Sequence, residues 1–194
     1  MIILFTSAIT PAFFEQRKQE YITSFNSLCS LGYRENIRIV ECVDCTENTF
    51  LNGLTDNLFC TKQNYSFKNK GVNELLNIKY FFEKNDICDD EKIIKLTGRY
   101  LIADDFFIKE FGNSDYDVMY KKDSHNQVFF GCLCLKKKVL TDFINQTNFE
   151  NLESKSICIE KTFADFIYGS KYSQKEIIKM NIKCNINNND LHFL

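Results

Sequence analysis

The sequence predicts a single α/β domain, residues 1–194, with a mostly parallel central sheet flanked by helices, and three observations lead there. Short apolar runs suited to buried strands alternate with longer segments of helical period. The chain opens strand–helix–strand, a unit that joins parallel strands through a right-handed crossover. Its length of 194 residues suits one hydrophobic core.

Taken in order, Ile2-Ile3-Leu4-Phe5 reads as a buried strand ending at Thr6-Ser7. No basic stretch precedes it, so a first core strand is expected instead of a signal peptide. Between Ala12 and Leu31, Phe13, Tyr21, Phe25 and Leu28 recur among charged residues, and Gly32 follows, which predicts an amphipathic helix with its stop. Ile37 to Val43 forms the second strand. Residues 44–69 carry Asn and Thr without a period and read as an irregular excursion. From Gly71 onward, Val72, Leu75, Leu76, Ile78 and Tyr80 to Phe82 define a broad apolar helix face. A turn over 86–92 leads into a third strand ending near Leu96, followed by a short helix over 103–111. Strands are expected over 116–120 and 126–135, helices over 137–146, 156–169 and 173–180, a short strand over 181–186, and a polar tail over 185–190.

The composition excludes several classes. With 24 basic and 26 acidic residues, net charge -2, the chain has no global field for nucleic acid. No stretch approaches the ~18 apolar residues of a membrane span. Nine cysteines, among them Cys88 and Cys158 in apolar surroundings, read as buried reduced thiols in a cytoplasmic setting. Cys42 and Cys45 have CxxC spacing, but Cys132 and Cys134 have CxC spacing and no histidine lies near either pair, so zinc is not expected. His125 and His192 are isolated and receive no role.

In an open α/β sheet, ligands bind beyond the carboxyl ends of the strands. That rule selects Thr6 and Ser7, Glu41 and Asp44, and the run Thr97-Gly98-Arg99-Tyr100. Lys68, Asn69, Lys70 and Gly71 precede a helix, where free N–H groups form either an anion seat or an ordinary solvated turn. Arg17 and Lys18 on the first helix approach the same end or are solvated. Asp89-Asp90 and Asp104-Asp105 read as structural, and Asp115-Tyr116-Asp117, which precedes a strand instead of ending one, is a weak metal candidate.

Asn69-Lys70-Gly71-Val72-Asn73-Glu74, followed about twenty residues later by Lys95-Leu96-Thr97-Gly98-Arg99-Tyr100, resembles nucleotide-sugar-dependent glycosyltransferases of the GT-A (Rossmann-like) fold, over roughly residues 1 to 170. The resemblance implies transfer of a sugar from a nucleotide diphosphate donor to a hydroxyl acceptor, glycan or lipid-linked, with inversion. It also implies that Glu160 deprotonates the acceptor, with Asp165 in reserve; with the strand-end rule and the helix start, the substrate-binding candidates are Thr6 and Glu41, toward the base or ribose, and Lys70, Asn73, Lys95, Thr97 and Arg99. Where that family carries Asp-x-Asp for a divalent metal, this chain has Thr97-Gly98-Arg99, and a guanidinium supplies no oxygen ligand. The expectation is therefore no metal at this strand end, with Arg99, aided by Lys95 and Lys70, neutralising the diphosphate; a divalent ion held elsewhere, or an Arg99 that only pairs with Glu74 or Asp104, is the alternative. Two rival functions stay open: a nucleotidyltransferase-like enzyme, disfavoured because residues 4–14 contain no glycine, and a non-catalytic nucleotide-sugar-binding domain.

Overall fold

In the computed structural model, residues 1–8, 14–42, 49–61, 67–123, 125–185 and 191–193 are described. The alternation of β1 (Ile2–Ala8) sends Ile3 and Phe5 to one face of a sheet and Leu4 to the other, all fully buried. Helix α1 (Phe14–Ser30) returns the chain to β2 (Ile37–Cys42), which pairs parallel with β1 from Ile3↔Ile37 to Ala8↔Cys42. After β3 (Leu58–Thr61) and α2 (Lys70–Lys84), β4 (Lys92–Thr97) pairs with the other side of β1. The direction of winding thus reverses between β1 and β4, where the strand-end rule places a ligand.

The remaining elements are β5 (Leu101–Ile102), α3 (Phe106–Gly112), β6 (Val118–Tyr120), β7 (Cys132–Lys136), α4 (Lys137–Gln146), α5 (Phe149–Ser154), α6 (Ile159–Tyr168), β8 (Gln174–Glu176), β9 (Ile182–Asn185) and β10 (Leu191–Phe193). Seven strands form the main sheet in the order β3-β2-β1-β4-β7-β6-β8, with β7 antiparallel to both neighbours and the other six pointing the same way. A small sheet β10-β9-β5 lies beside it. One face of the main sheet packs Leu4, Val40, Ile93 and Leu133 against α2, α4 and α6, where Phe163 meets Phe130 and Phe143 edge-to-face at 5.4 and 4.9 Å. The other packs Ile3, Phe5, Ile39 and Leu96 against Tyr21, Phe25 and Leu28 of α1 and Phe107 and Phe111 of α3.

The structure departs from these expectations in several places. The excursion over 44–69 contains β3 and a one-turn 3₁₀ helix, Phe50–Gly53, closed by a reciprocal Thr49–Asn52 cap. The segment 173–180 holds β8, because its backbone completes the sheet edge beside β6 while Ile177 and Met180 are buried in the core. Asn148 caps α5, where no element was expected, and residues 191–193, beyond the expected tail over 185–190, pair with β9. Cys88 and Cys158 are exposed, whereas Cys132 and Cys134 are the buried cysteines among the described residues. Cys45 and Asp44 lie outside the described residues. No helix among the described residues is long and apolar enough to cross a membrane.

Gly98 follows β4 under the Phe5–Tyr21 aromatic pair. A Cβ there would lie 2.2 Å from Phe5 Cε1 and 2.6 Å from Tyr21 Cδ1, so no side chain fits without moving both rings. Gly98→Ala is expected to lower stability by roughly 1–3 kcal/mol, read as a fall in the denaturant midpoint at unchanged slope.

Candidate active site

The carboxyl ends of β1, β2 and β4 meet the start of α2. Ser7 pairs in register with Glu41, and Thr6 with Thr97. The pleat turns Thr6, Lys95 and Thr97 toward α2, and Ser7 and Glu41 toward α1.

On the α2 side, the Lys95 ammonium is wholly buried, and three acceptors surround it: Glu74 Oε1 at 2.9 Å, the Phe130 carbonyl at 2.6 Å and Thr97 Oγ1 at 3.3 Å. The Phe130 ring centroid lies 4.5 Å away. Thr6 Oγ1 donates to the same Glu74 oxygen at 2.5 Å. The expectation that Lys95 binds substrate meets a different geometry: all three N–H groups are taken, and the ammonium supports Glu74. Thr6 likewise directs its hydroxyl to Glu74. Glu74, which the sequence offers only as a partner for Arg99, stands within the Asn69–Glu74 motif.

The start of α2 is not an open anion seat. The Lys68 and Asn69 N–H groups both donate to the Glu153 carboxylate at 2.9 Å, and Asn69 Oδ1 caps Gly71 and Val72 at 3.0 and 3.4 Å. An internal carboxylate thus occupies the place expected for a phosphate. Gly71 lets this end approach α6, since a Cβ there would meet Ile159 Cγ2 at 3.0 Å. That contact brings the first turn of α6, with the half-buried Glu160, beside α2. Lys70 is exposed and makes no ion pair among the described residues, and Asp165 lies exposed farther along α6.

Among the described residues, four buried polar atoms at this edge have no hydrogen-bond partner: Ser7 Oγ, which lies near enough to the Tyr21 hydroxyl to favour its phenolate, Glu41 Oε1, Asn73 Oδ1 and Arg99 Nε. Each such orphan costs on the order of 1–3 kcal/mol, so four at one edge are unlike a structural core. A fifth, Thr141 Oγ1, belongs to α4. Glu41 is fully buried and its second oxygen accepts from Thr49 Oγ1 at 2.7 Å; burial pushes its carboxyl up to about 6 against the opposing pull of that hydrogen bond. The Arg99 guanidinium stacks 5.6 Å from the Tyr100 ring and pairs with neither Glu74 nor Asp104. It lies close enough to Tyr21 to favour that phenolate, although burial dominates and raises the Tyr21 pKa. Arg17, the other cation near Tyr21, is paired with Glu20 at 2.8 Å.

The other acidic pairs are occupied. Asp104 accepts from Asn181, and Asp105 from Tyr33 and Lys109. Asp117 lies at the amino end of the sheet; burial works to raise its carboxyl, but Lys136, Ser173 and Lys138 together hold it down at about 2. Among the described residues no group of three or more His, Cys, Asp or Glu side chains could hold a metal ion. A cavity of about 340 Å³ lies at the end of β8, lined by Phe106, Glu110, Lys175, Glu176 and Ile178, and none of the orphaned atoms belongs to its lining.

No protein-family model matches the chain, and no curated protein matches it in sequence. Solved structures do share its fold. The galactosyltransferase LgtC, crystallised with donor and acceptor sugar analogues, superposes with a TM-score of 0.55 at 14% identity, over 91% of this chain and 73% of that one. A protein assigned as a nucleotide-diphospho-sugar transferase from Desulfovibrio desulfuricans G20 gives 0.56 at 8%, over 91% and 78%. One assigned as a glucose-1-phosphate thymidylyltransferase from Bacillus anthracis gives 0.54 at 8%, over 91% and 87%. At such identities the likeness is one of architecture, and by architecture this chain is a GT-A-type α/β domain.

Proposed function

We propose that the domain is a nucleotide-sugar transferase that moves a sugar from a nucleotide diphosphate donor to a hydroxyl acceptor on a glycan or lipid-linked glycan, with inversion. The observation that carries this reading is the set of orphaned atoms at Ser7, Glu41, Asn73 and Arg99 on the carboxyl edge of the sheet. A nucleotide diphosphate offers what they lack. Glu41 Oε1 suits a ribose hydroxyl or base N–H, Ser7 a further polar group beside it, and Arg99 the diphosphate, to which its fork can donate twice. Glu160 takes the proton of the acceptor hydroxyl as that oxygen attacks the anomeric carbon, the bond to the diphosphate breaks, and Arg99 and Lys70 meet the charge that departs. The buried thiol of Cys134 fits a cytoplasmic setting. A second reading, nucleotidyl transfer, is favoured by the thymidylyltransferase among the structural neighbours; release of pyrophosphate from a sugar phosphate and a nucleoside triphosphate would identify it.

Glu41 makes donor binding depend on pH. Its folded pKa of about 6 lies above its ordinary 4.5, so the native state keeps a proton that the unfolded chain has released. Stability from this group therefore falls as pH rises from 4.5 through about 6, while the acceptor capacity of its free oxygen grows. Calorimetric titration with UDP is expected to show tighter binding above pH 6 than below, and Glu41→Gln to flatten that profile.

Arg99→Ala is expected to lower turnover more than Arg99→Lys, with both below the parent, because a point charge lacks the bidentate fork. Activity is expected to survive EDTA; loss on chelation would return the leaving-group role to a cation. Glu160→Gln is expected to reduce kcat by roughly 10²- to 10⁴-fold with donor affinity unchanged, since a general base for the acceptor does not touch the donor. Steady-state kinetics paired with titration separates the two effects.

A further inference from the structure

We propose that Glu74 is the carboxylate that holds the sugar of the donor, through its outward oxygen, and that Lys95 is the residue that positions it. This assignment rests on the donor-binding reading above. It starts from an expense in the fold. An ammonium with no exposure, set among Ile93, Ile94 and Leu96, occupies a strand position where an apolar side chain of similar size would serve. Buried ion pairs are often no better for stability than the hydrophobic residues that replace them, so stability alone does not account for the pair.

What the pair achieves is direction. Glu74 Oε1 receives two donors from two different strands, Lys95 Nζ of β4 at 2.9 Å and Thr6 Oγ1 of β1 at 2.5 Å. One oxygen is thereby tethered. Oε2 has no partner among the described residues, and the side chain keeps 22% of its exposure, so the free oxygen is presented outward at the edge where β1 and β4 end. Asn73, the preceding residue, carries an orphaned acceptor of its own, its amide nitrogen being held by the Phe67 carbonyl at 2.6 Å. An outward carboxylate oxygen repels a diphosphate. It accepts from hydroxyls, and of the groups on a nucleotide sugar beyond the nucleoside, only the sugar supplies them. The site therefore divides by charge, with Arg99 for the phosphates and Glu74 for the sugar hydroxyls.

The test compares UDP, GDP and dTDP with their glucose conjugates by calorimetric titration of the parent, Glu74→Gln and Thr6→Val, with thermal melts to confirm folding. The glutamine keeps the shape and an oxygen for Lys95, and the valine removes one tether while leaving the buried pair intact. For the conjugate that binds the parent more tightly than its bare diphosphate, Glu74→Gln is expected to weaken the conjugate about ten- to hundredfold while the bare diphosphate changes less than about twofold. Thr6→Val is expected to weaken the conjugate in the same selective way by a smaller factor. Equal weakening of both ligands, no weakening of either, or conjugates that bind the parent no better than bare diphosphates overturns the Glu74 assignment while leaving the nucleotide reading standing. A parent that binds none of the six removes that reading, and with it the assignment.

Discussion

The buried ammonium of Lys95 is the constraint around which the rest of the molecule is arranged. Its desolvation is offset only where all three acceptors are in place, and those acceptors come from α2, from the segment before β7 and from β4 itself. The register between β1 and β4 follows, because a slip of one residue would turn Lys95 to the α1 face among Phe5, Phe25 and Phe107. The rotation of α2 follows as well, since Glu74 must face the sheet, and with Glu74 inward Val72, Leu75 and Ile78 fall on the core.

The same edge is pinned from the other side by a close approach. Gly98 lies beneath the rings of Phe5 and Tyr21, and its N–H donates to the Thr6 carbonyl at 2.8 Å, so the chain leaves β4 along one path and Arg99 is delivered to the edge of the sheet. Glu153 clamps the Lys68-Asn69 backbone, and Gly71 lets α2 touch α6. Sheet, α2 and α6 are thus locked together before any ligand arrives, which is the preorganisation an electrostatic site requires. Structures of the same architecture are described for glycosyl and for thymidylyl transfer, so the chemistry has to be argued from Glu41, Glu74, Arg99 and Glu160 and not from the sheet.

Much of the fold was legible in the sequence. The apolar run of β1, the periodic face of α2 and the strand ending at Thr97 were all read where they stand, because each segment buries a continuous set of side chains that local pattern records. The failures have a common cause. β8 and β3 are short edge strands, with three and four residues, whose identity depends on backbone pairing to β6 and β2 and not on any period of their own. For the same reason, nothing in the spacing of Cys158 distinguished an exposed helix cap from a buried thiol.

By itself the sequence determined an α/β domain, the strand ends at which polar residues gather and the presence of an arginine after the strand that ends at Thr97, because strand length, helical period and residue type are properties of contiguous chain. Only the tertiary structure decided which of those polar residues find partners within the fold. Lys95 and Thr6 turn inward to Glu74, Lys68 and Asn69 give their N–H groups to Glu153, and Ser7, Glu41, Asn73 and Arg99 are left with unsatisfied atoms. Hydrogen-bond partners 20 to 90 residues apart settle that division; the pairing of Lys68 with Glu153 alone spans 85. No local pattern encodes which of two nearby carboxylates a buried ammonium will claim, since the choice is made by the desolvation it suffers once sheet and helix have closed.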